Sequence, residues 1–257
     1  MQDLYEAIIQ ARKDGIPAAL ATVTAVEGSS PGKEHFKMLV KEDGSIIGTV
    51  GGGAVESEVI EKAKEIIKKE RAEGFDFNLS EKGPNATGML CSGKVTVFIE
   101  PIISHFAYVF GGGHVGLALV KILNLLEYNV IVIDDREEFS NKERFPDAQE
   151  TLAGEYMQIT EKLELKKPAY IIITTRGHKF DQEVLEWAIK QDAKYIGMIG
   201  SKSKVATTFS RLKEKGITEE QLSQVHSPIG LKIGAITAEE IAVAIAAEMI
   251  EIKRARD

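Results

Sequence analysis

At 257 residues, with 44% apolar and 28% charged side chains, the chain has the make-up of a globular protein of one large domain or two ordinary ones. A net charge of −7 argues against a broad nucleic-acid surface, and no apolar run approaches a membrane span. The single cysteine, Cys91, excludes an intrachain disulfide and a cysteine-rich zinc site.

The first residues carry acids where a secretory leader would be basic, so the cytoplasm is the expected location. Leu4, Ala7, Ile8 and Ala11 recur at helical spacing and predict a short amphipathic helix ending near Gly15. Residues 18–26 predict a strand. Short strands over 38–40 and 46–50 flank Asp43 and Gly44, a hairpin signal. Gly51, Gly52 and Gly53 then form a glycine-rich turn before a helix with Val55, Val59, Ala63, Ile66 and Ile67 on its apolar face. No Walker lysine follows, so this is not a P-loop, although its helix N-terminus suits an anion. Glu56, in the first turn, is read first as a complement to the helix dipole and second as a ligand. Phe75, Phe77 and Leu79 alternate as in a half-buried strand, 81–93 reads as a loop carrying Cys91, and 95–99 is a strand. Cys91 is either a buried inert thiol or a functional one. Glu100 and Pro101 mark a boundary between an α+β domain, 1–102, and a second domain, 103–257.

The second domain opens on the stretch that organises the chain, residues 106–135. An apolar strand, 106–110, runs into Gly111, Gly112 and Gly113, and Gly116 completes G-x-G-x-x-G. Gly111 permits a tight turn, Gly113 a close approach by phosphate, and Gly116 close packing of helix on strand. His114 and Val115 open that helix, whose N–H groups and dipole suit a phosphate. A second apolar strand, 130–133, ends in Asp134, Asp135 and Arg136. Asp134 stands where a ribose hydroxyl would be held, about 20 residues beyond the glycines. Arg136 suits an additional ribose phosphate or an ion pair with Asp135.

Further along, 149–152 reads as a short strand and 169–175 as a buried one ending in Thr174 and Thr175, followed by a loop of Arg176, Gly177 and His178. A helix capped near Asp181 follows, then a strand over 194–199, then Gly200 and Ser201 before a helix carrying Lys202 and Lys204. Thr218 with Gln221, and Thr237 with Glu240, match capping boxes. Met198 and Trp187 read as core. Strands alternate with helices, so the expected architecture is α/β: an N-terminal α+β domain followed by a Rossmann-like, mostly parallel, doubly wound domain. Ligands of such sheets lie outside the carboxyl ends of the strands, which gathers 111–116, 134–136, 174–178, 200–204 and 228–234 onto one cleft.

In that cleft Arg176 suits a phosphate or carboxylate. His178 reads as a general base, a metal ligand or only a hydrogen-bonded loop residue. Lys202 and Lys204 sit at a helix start, where cations are disfavoured unless an anion lies nearby or both point to solvent. No H-E-x-x-H, G-x-S-x-G or paired-cysteine motif is present. The residues describe a phosphate-holding cleft beside a domain with one thiol, which suits a carrier as well as an enzyme.

These stretches resemble the XdhC/CoxI family, the xanthine dehydrogenase accessory proteins. The matching segments include GSSP (28–31), DGSIIGTVGGGAVE (43–56), GMLCSG (88–93), VFGGGHVG, VIVIDDREEF, ERFP, TTRGHKFD, YIGMIGSKSK and SPIGLKIGAITAEE, over essentially the full length. The chain departs from the family pattern at Gly32, at His35 and Phe36, at Ser92, at Lys232 and at Ala238. The resemblance implies a cytoplasmic chaperone of purine catabolism. It would bind molybdenum cofactor, as molybdopterin or its dinucleotide, support its sulfuration with a cysteine desulfurase and deliver it to an apo molybdenum hydroxylase. It implies a homodimer and a role for Cys91 beside molybdenum, while charge and hydropathy leave neither nucleic-acid nor membrane partners expected. The rival reading is an NAD(P)-dependent oxidoreductase with His178 as acid or base. A third is a nucleotide-sensing module that binds without turnover.

Overall fold

The computed structural model describes residues 3–28, 30–78 and 93–255. Leu79, Cys91 and nearly all of the loop predicted over 81–93 lie outside them. The chain divides into two compact units, Met1–Ser104 and His105–Asp257.

In the first unit, helix α1 (Leu4–Asp14) begins on Asp3, whose carboxylate accepts from the N–H groups of Tyr5 and Glu6, and ends on Gly15 in the left-handed conformation. Strands β1 (Ala18–Gly28), β2 (Lys37–Lys41), β3 (Ile46–Gly48), β4 (Glu73–Asn78) and β5 (Gly93–Ile102) pair antiparallel in the order β3-β2-β1-β5-β4. Alternation along β1 sends Ala19, Ala21 and Val23 to one face, where helix α2 (Gly53–Lys69) covers them with Val55, Val59, Ala63, Ile66 and Ile67. Ala18 points to the other face and packs with Ala7 of α1 and Leu39. Burying a side chain such as Val59 or Ile66 contributes roughly 1.5–3 kcal/mol, so α2 is held by its apolar stripe far more than by propensity.

The second unit contains β6 (Phe106–Phe110), α3 (His114–Leu125), β7 (Asn129–Asp134), β8 (Glu150–Ala153), α4 (Tyr156–Thr160), β9 (Ala169–Ile173), α5 (His178–Ala188), β10 (Tyr195–Met198), α6 (Lys202–Glu214), α7 (Glu219–Ser223), β11 (Val225–His226) and α8 (Ala238–Arg254). Six parallel strands run in the order β11-β10-β9-β6-β7-β8. The central strands β6 and β9 are buried at every residue, as a sheet covered on both faces requires. Val184, Leu185, Val205 and Leu212 of α5 and α6 close one face, and Leu119, Leu123, Ile245 and Met249 of α3 and α8 close the other. The expected doubly wound architecture is therefore realised. Strand order reverses between β6 and β9, so their carboxyl ends border the crevice that such sheets offer to ligands.

Both expected capping boxes form, at Thr218 with Gln221 and at Thr237 with Glu240. One expected cap does not. Helix α5 starts on Gly177 without a side-chain cap, and Asp181 lies in its first turn with its carboxylate directed elsewhere. Met198 is fully buried, and Trp187 packs on the core with its ring 5.6 Å from that of Phe110.

Candidate functional site

The glycine turn at the end of β6 is shaped by backbone packing. Gly111 has φ +114°, and a Cβ there would stand 2.2 Å from the carbonyl oxygen of Thr174, at the end of β9. A Cβ on Gly112 would meet the Phe139 carbonyl at 1.8 Å, and one on Gly116 the Gly111 carbonyl at 2.0 Å. No side chain fits at any of the three. Gly113 is different, because nothing lies within 4 Å of its Cβ position. It is also the N-cap of α3, which has no side-chain cap and no acid in its first turn. The turn thus combines open space with amide hydrogens that lack intrahelical partners. His114 is exposed at the start of α3, and Val115 is half-buried against the core of that face.

The acids at the end of β7 are engaged within the protein. Asp134 is fully buried. Its Oδ2 accepts from Gly112 N–H at 2.9 Å, and its Oδ1 from Arg136 N–H at 3.1 Å and Arg136 Nε at 3.0 Å. The carboxylate at the ribose spacing is therefore turned inward, where it fixes the glycine turn. Arg136 lies over the Phe139 ring at 3.6 Å and is committed to Asp134, with Asp135 Oδ1 3.6 Å from its Nε. Asp135 Oδ2 accepts from Arg176 Nη2 at 2.6 Å.

Sequence reasoning missed Arg144. Its Nε donates to the Gly112 carbonyl at 3.0 Å, and its own N–H is held by the Asn141 side chain at 2.8 Å. The guanidinium flanks the glycine turn, so its other nitrogens are available to an anion seated there. The only signal in the sequence was its place in the ERFP stretch, since no spacing rule relates residue 144 to residue 112.

On the β9 side, Thr175 is buried and donates both its N–H, at 3.1 Å, and its hydroxyl, at 2.6 Å, to Asp181 Oδ1. Asp181 is fully buried, and its Oδ2 takes Lys204 Nζ at 2.5 Å. The anion beside Lys204 is thus the Asp181 carboxylate of the protein itself, and the lysine does not point to solvent. Gly200 leaves room for this side chain, since a Cβ there would stand 2.9 Å from Lys204 Cδ. Ser201 caps α6 by accepting from Lys204 N–H at 3.3 Å, while Lys202 and His178 are exposed.

A concavity of about 520 Å³ lies beside the ends of β7 and β8, lined among others by Asp135, Glu137, Asn141 and Lys142. Among the described residues no cluster of three or more histidine, cysteine, aspartate or glutamate side chains could hold a metal, and no helix is long and apolar enough to cross a membrane. Gly51, Gly52 and Gly53 belong to the first unit. There Gly51 approaches Gly32 so closely that a Cβ would stand 2.6 Å from the Gly32 nitrogen, and Gly52 is the uncapped N-cap of α2. The two glycine loops of that unit are thus packed backbone to backbone.

Comparison with known proteins agrees with the fold. Residues 107–249 match the model of the XdhC Rossmann domain, and residues 11–78 that of the XdhC and CoxI family. The chain is 32% identical over 253 residues to the uncharacterized protein YqeB of Escherichia coli (strain K12), covering 98% of this chain but only 46% of that protein. It thus spans about half the length of that relative. It is 24% identical to a protein of Bacillus subtilis (strain 168) named as a probable xanthine dehydrogenase subunit, covering 94% of this chain and 95% of that one. A crystal structure described as a xanthine dehydrogenase from Bacillus halodurans shares the fold, with a TM-score of 0.54 and 22% identity over 98% of this chain and 96% of that one.

Proposed function

This chain belongs to the XdhC and CoxI family, and we propose that it is an accessory factor for a molybdenum hydroxylase of the xanthine dehydrogenase type. In this reading it holds molybdenum cofactor by its phosphate until the cofactor passes to the apo-enzyme. The observation that carries the reading is the uncapped start of α3 beside the open space at Gly113, with Arg144 alongside. Those groups fit a phosphate: amide hydrogens and a guanidinium converge, and no side chain fills the seat. The Bacillus subtilis relative, whose name refers to xanthine dehydrogenase, supports a client of that kind.

When bound, the cofactor supplies the metal–sulfur centre. The chain supplies the phosphate seat and, in this proposal, the Cys91 thiol that takes part in sulfuration by a cysteine desulfurase. A homodimer in the cytoplasm is the form we assign to it.

Mass spectrometry of small molecules retained by the purified protein tests the reading. Molybdopterin or its dinucleotide is the expected result. Retained NAD(H), with saturable NADH fluorescence, would replace it with the oxidoreductase reading in which His178 acts as acid or base. Cys91→Ala is expected to weaken sulfuration of the client, and unchanged activation of the hydroxylase would remove the thiol from the scheme.

A further inference from the structure

Strands β7 and β9 flank β6, so they stand roughly 10 Å apart at ordinary strand spacing. Asp135 follows β7, and Arg176 lies in the loop after β9. Their side chains nevertheless meet, with Arg176 Nη2 2.6 Å from Asp135 Oδ2. The pair therefore spans the carboxyl end of β6, the strand that runs into turn 111–113. That is the crevice at which the strand order reverses.

The two partners are unequal. The Asp135 side chain is only 12% exposed, and its Oδ1 is buried without a hydrogen-bond donor. Arg176 is half exposed, at 50%, and rests over the Phe180 ring at 5.4 Å. The arginine is the part able to swing, and the aspartate is the fixed catch. The neighbouring arginines are committed differently: Arg136 to the fully buried Asp134, and Arg144 through its Nε to the Gly112 carbonyl. Drawing Arg176 toward an incoming anion, unlike drawing Arg136, strands no fully buried carboxylate.

We propose that Asp135 and Arg176 form a latch across the crevice, which a phosphate-bearing ligand opens by drawing Arg176 away from Asp135. The inference rests on the reading that the glycine turn seats a phosphate. Only the arginine side of the pair is open to solvent, so a ligand phosphate competes for Arg176 there, and the competition lowers affinity measurably. Release also frees a carboxylate to accept from ligand hydroxyls, which favours a phosphate ester carrying donors over bare phosphate.

The test is calorimetric titration of the full chain with inorganic pyrophosphate. It uses the wild type, Asp135→Asn, Arg176→Gln and the double variant. Asp135→Asn should bind roughly two- to fivefold tighter than wild type, the upper part of the range for an ion pair open to solvent on its arginine side. Arg176→Gln should bind more weakly, and adding Asp135→Asn to it should bring no further gain. An equal gain in the Arg176→Gln background would show a mere loss of negative field and overturn the latch. Pyrophosphate binding by wild type without any gain in Asp135→Asn would overturn the latch and leave the seat standing. No binding by any of the four would remove the seat and the latch together. Asp135→Ser replaces the asparagine variant should that variant fold poorly.

Discussion

Replacing Lys204 by methionine probes the joint between the β9 loop and α6. Asp181 is fully buried, and Lys204 Nζ at 2.5 Å is the cation on its Oδ2. Methionine keeps most of the volume but strands the carboxylate. Breaking a buried pair on one side typically costs about 3–5 kcal/mol. Two features place this case near the lower bound. Thr175 still donates its N–H and hydroxyl to Oδ1, and the Lys204 side chain is 15% exposed, so water can reach its former place. We expect a loss of about 3 kcal/mol. With a urea slope of roughly 1–3 kcal/mol/M, the unfolding midpoint should fall by at least about 1 M. Adding Asp181→Asn removes the stranded charge while keeping an acceptor for Thr175, and should return at least half of the loss. A Lys204→Met midpoint within experimental error of wild type would mean that the lysine is a solvated surface cation, and the reasoning about the pair would fail.

Other consequences are equally direct. Gly112→Ala forces a Cβ to within 1.8 Å of the Phe139 carbonyl, so the turn must move; we expect a thermal midpoint many degrees lower together with loss of pyrophosphate binding in the same calorimeter. Thr237→Ala removes the capping box of α8 and should cost about 1 kcal/mol in urea unfolding, with binding unaffected. Arg144→Gln should weaken pyrophosphate binding several-fold, and an unchanged dissociation constant would remove Arg144 from the seat. Burial, followed by the nearby positive charges of Lys253, Lys194 and Arg254, lowers the His105 pKa from 6.5 to about 3. The unfolded chain then takes up a proton that the folded chain refuses. Stability is complete above about 6.5 and falls as pH drops toward about 3, by about 2 kcal/mol between pH 7 and pH 5. His105→Gln should flatten that dependence, and an unaltered slope would contradict it.

The elements were legible because their causes are local. Period-two alternation of Phe75 and Phe77 in β4, the helical apolar stripe of α2, the glycine end of α1 and the two threonine capping boxes each lie within a few residues of what they specify. The same holds for the glycine turn: Gly111 needs positive φ, and Gly116 needs to touch Gly111, five residues away. Even the parallel architecture followed from strands alternating with helices, since short chains cannot connect parallel neighbours otherwise.

What sequence alone left open is the choice of partner for each charge. Asp134, at the ribose spacing, turns inward because the Gly112 N–H and Arg136 converge on it once β6 and β7 are paired. Asp181 serves Thr175 and Lys204 instead of capping α5, because β9 and β10 bring α6 across it. Arg144 reaches a carbonyl 32 residues away in sequence, and Arg176 an aspartate 41 residues away. Hydrophobic period and backbone angle are set by neighbours along the chain. An ion pair in a folded interior is set by which strand ends the sheet order places together, and that is decided only when the whole sheet has formed.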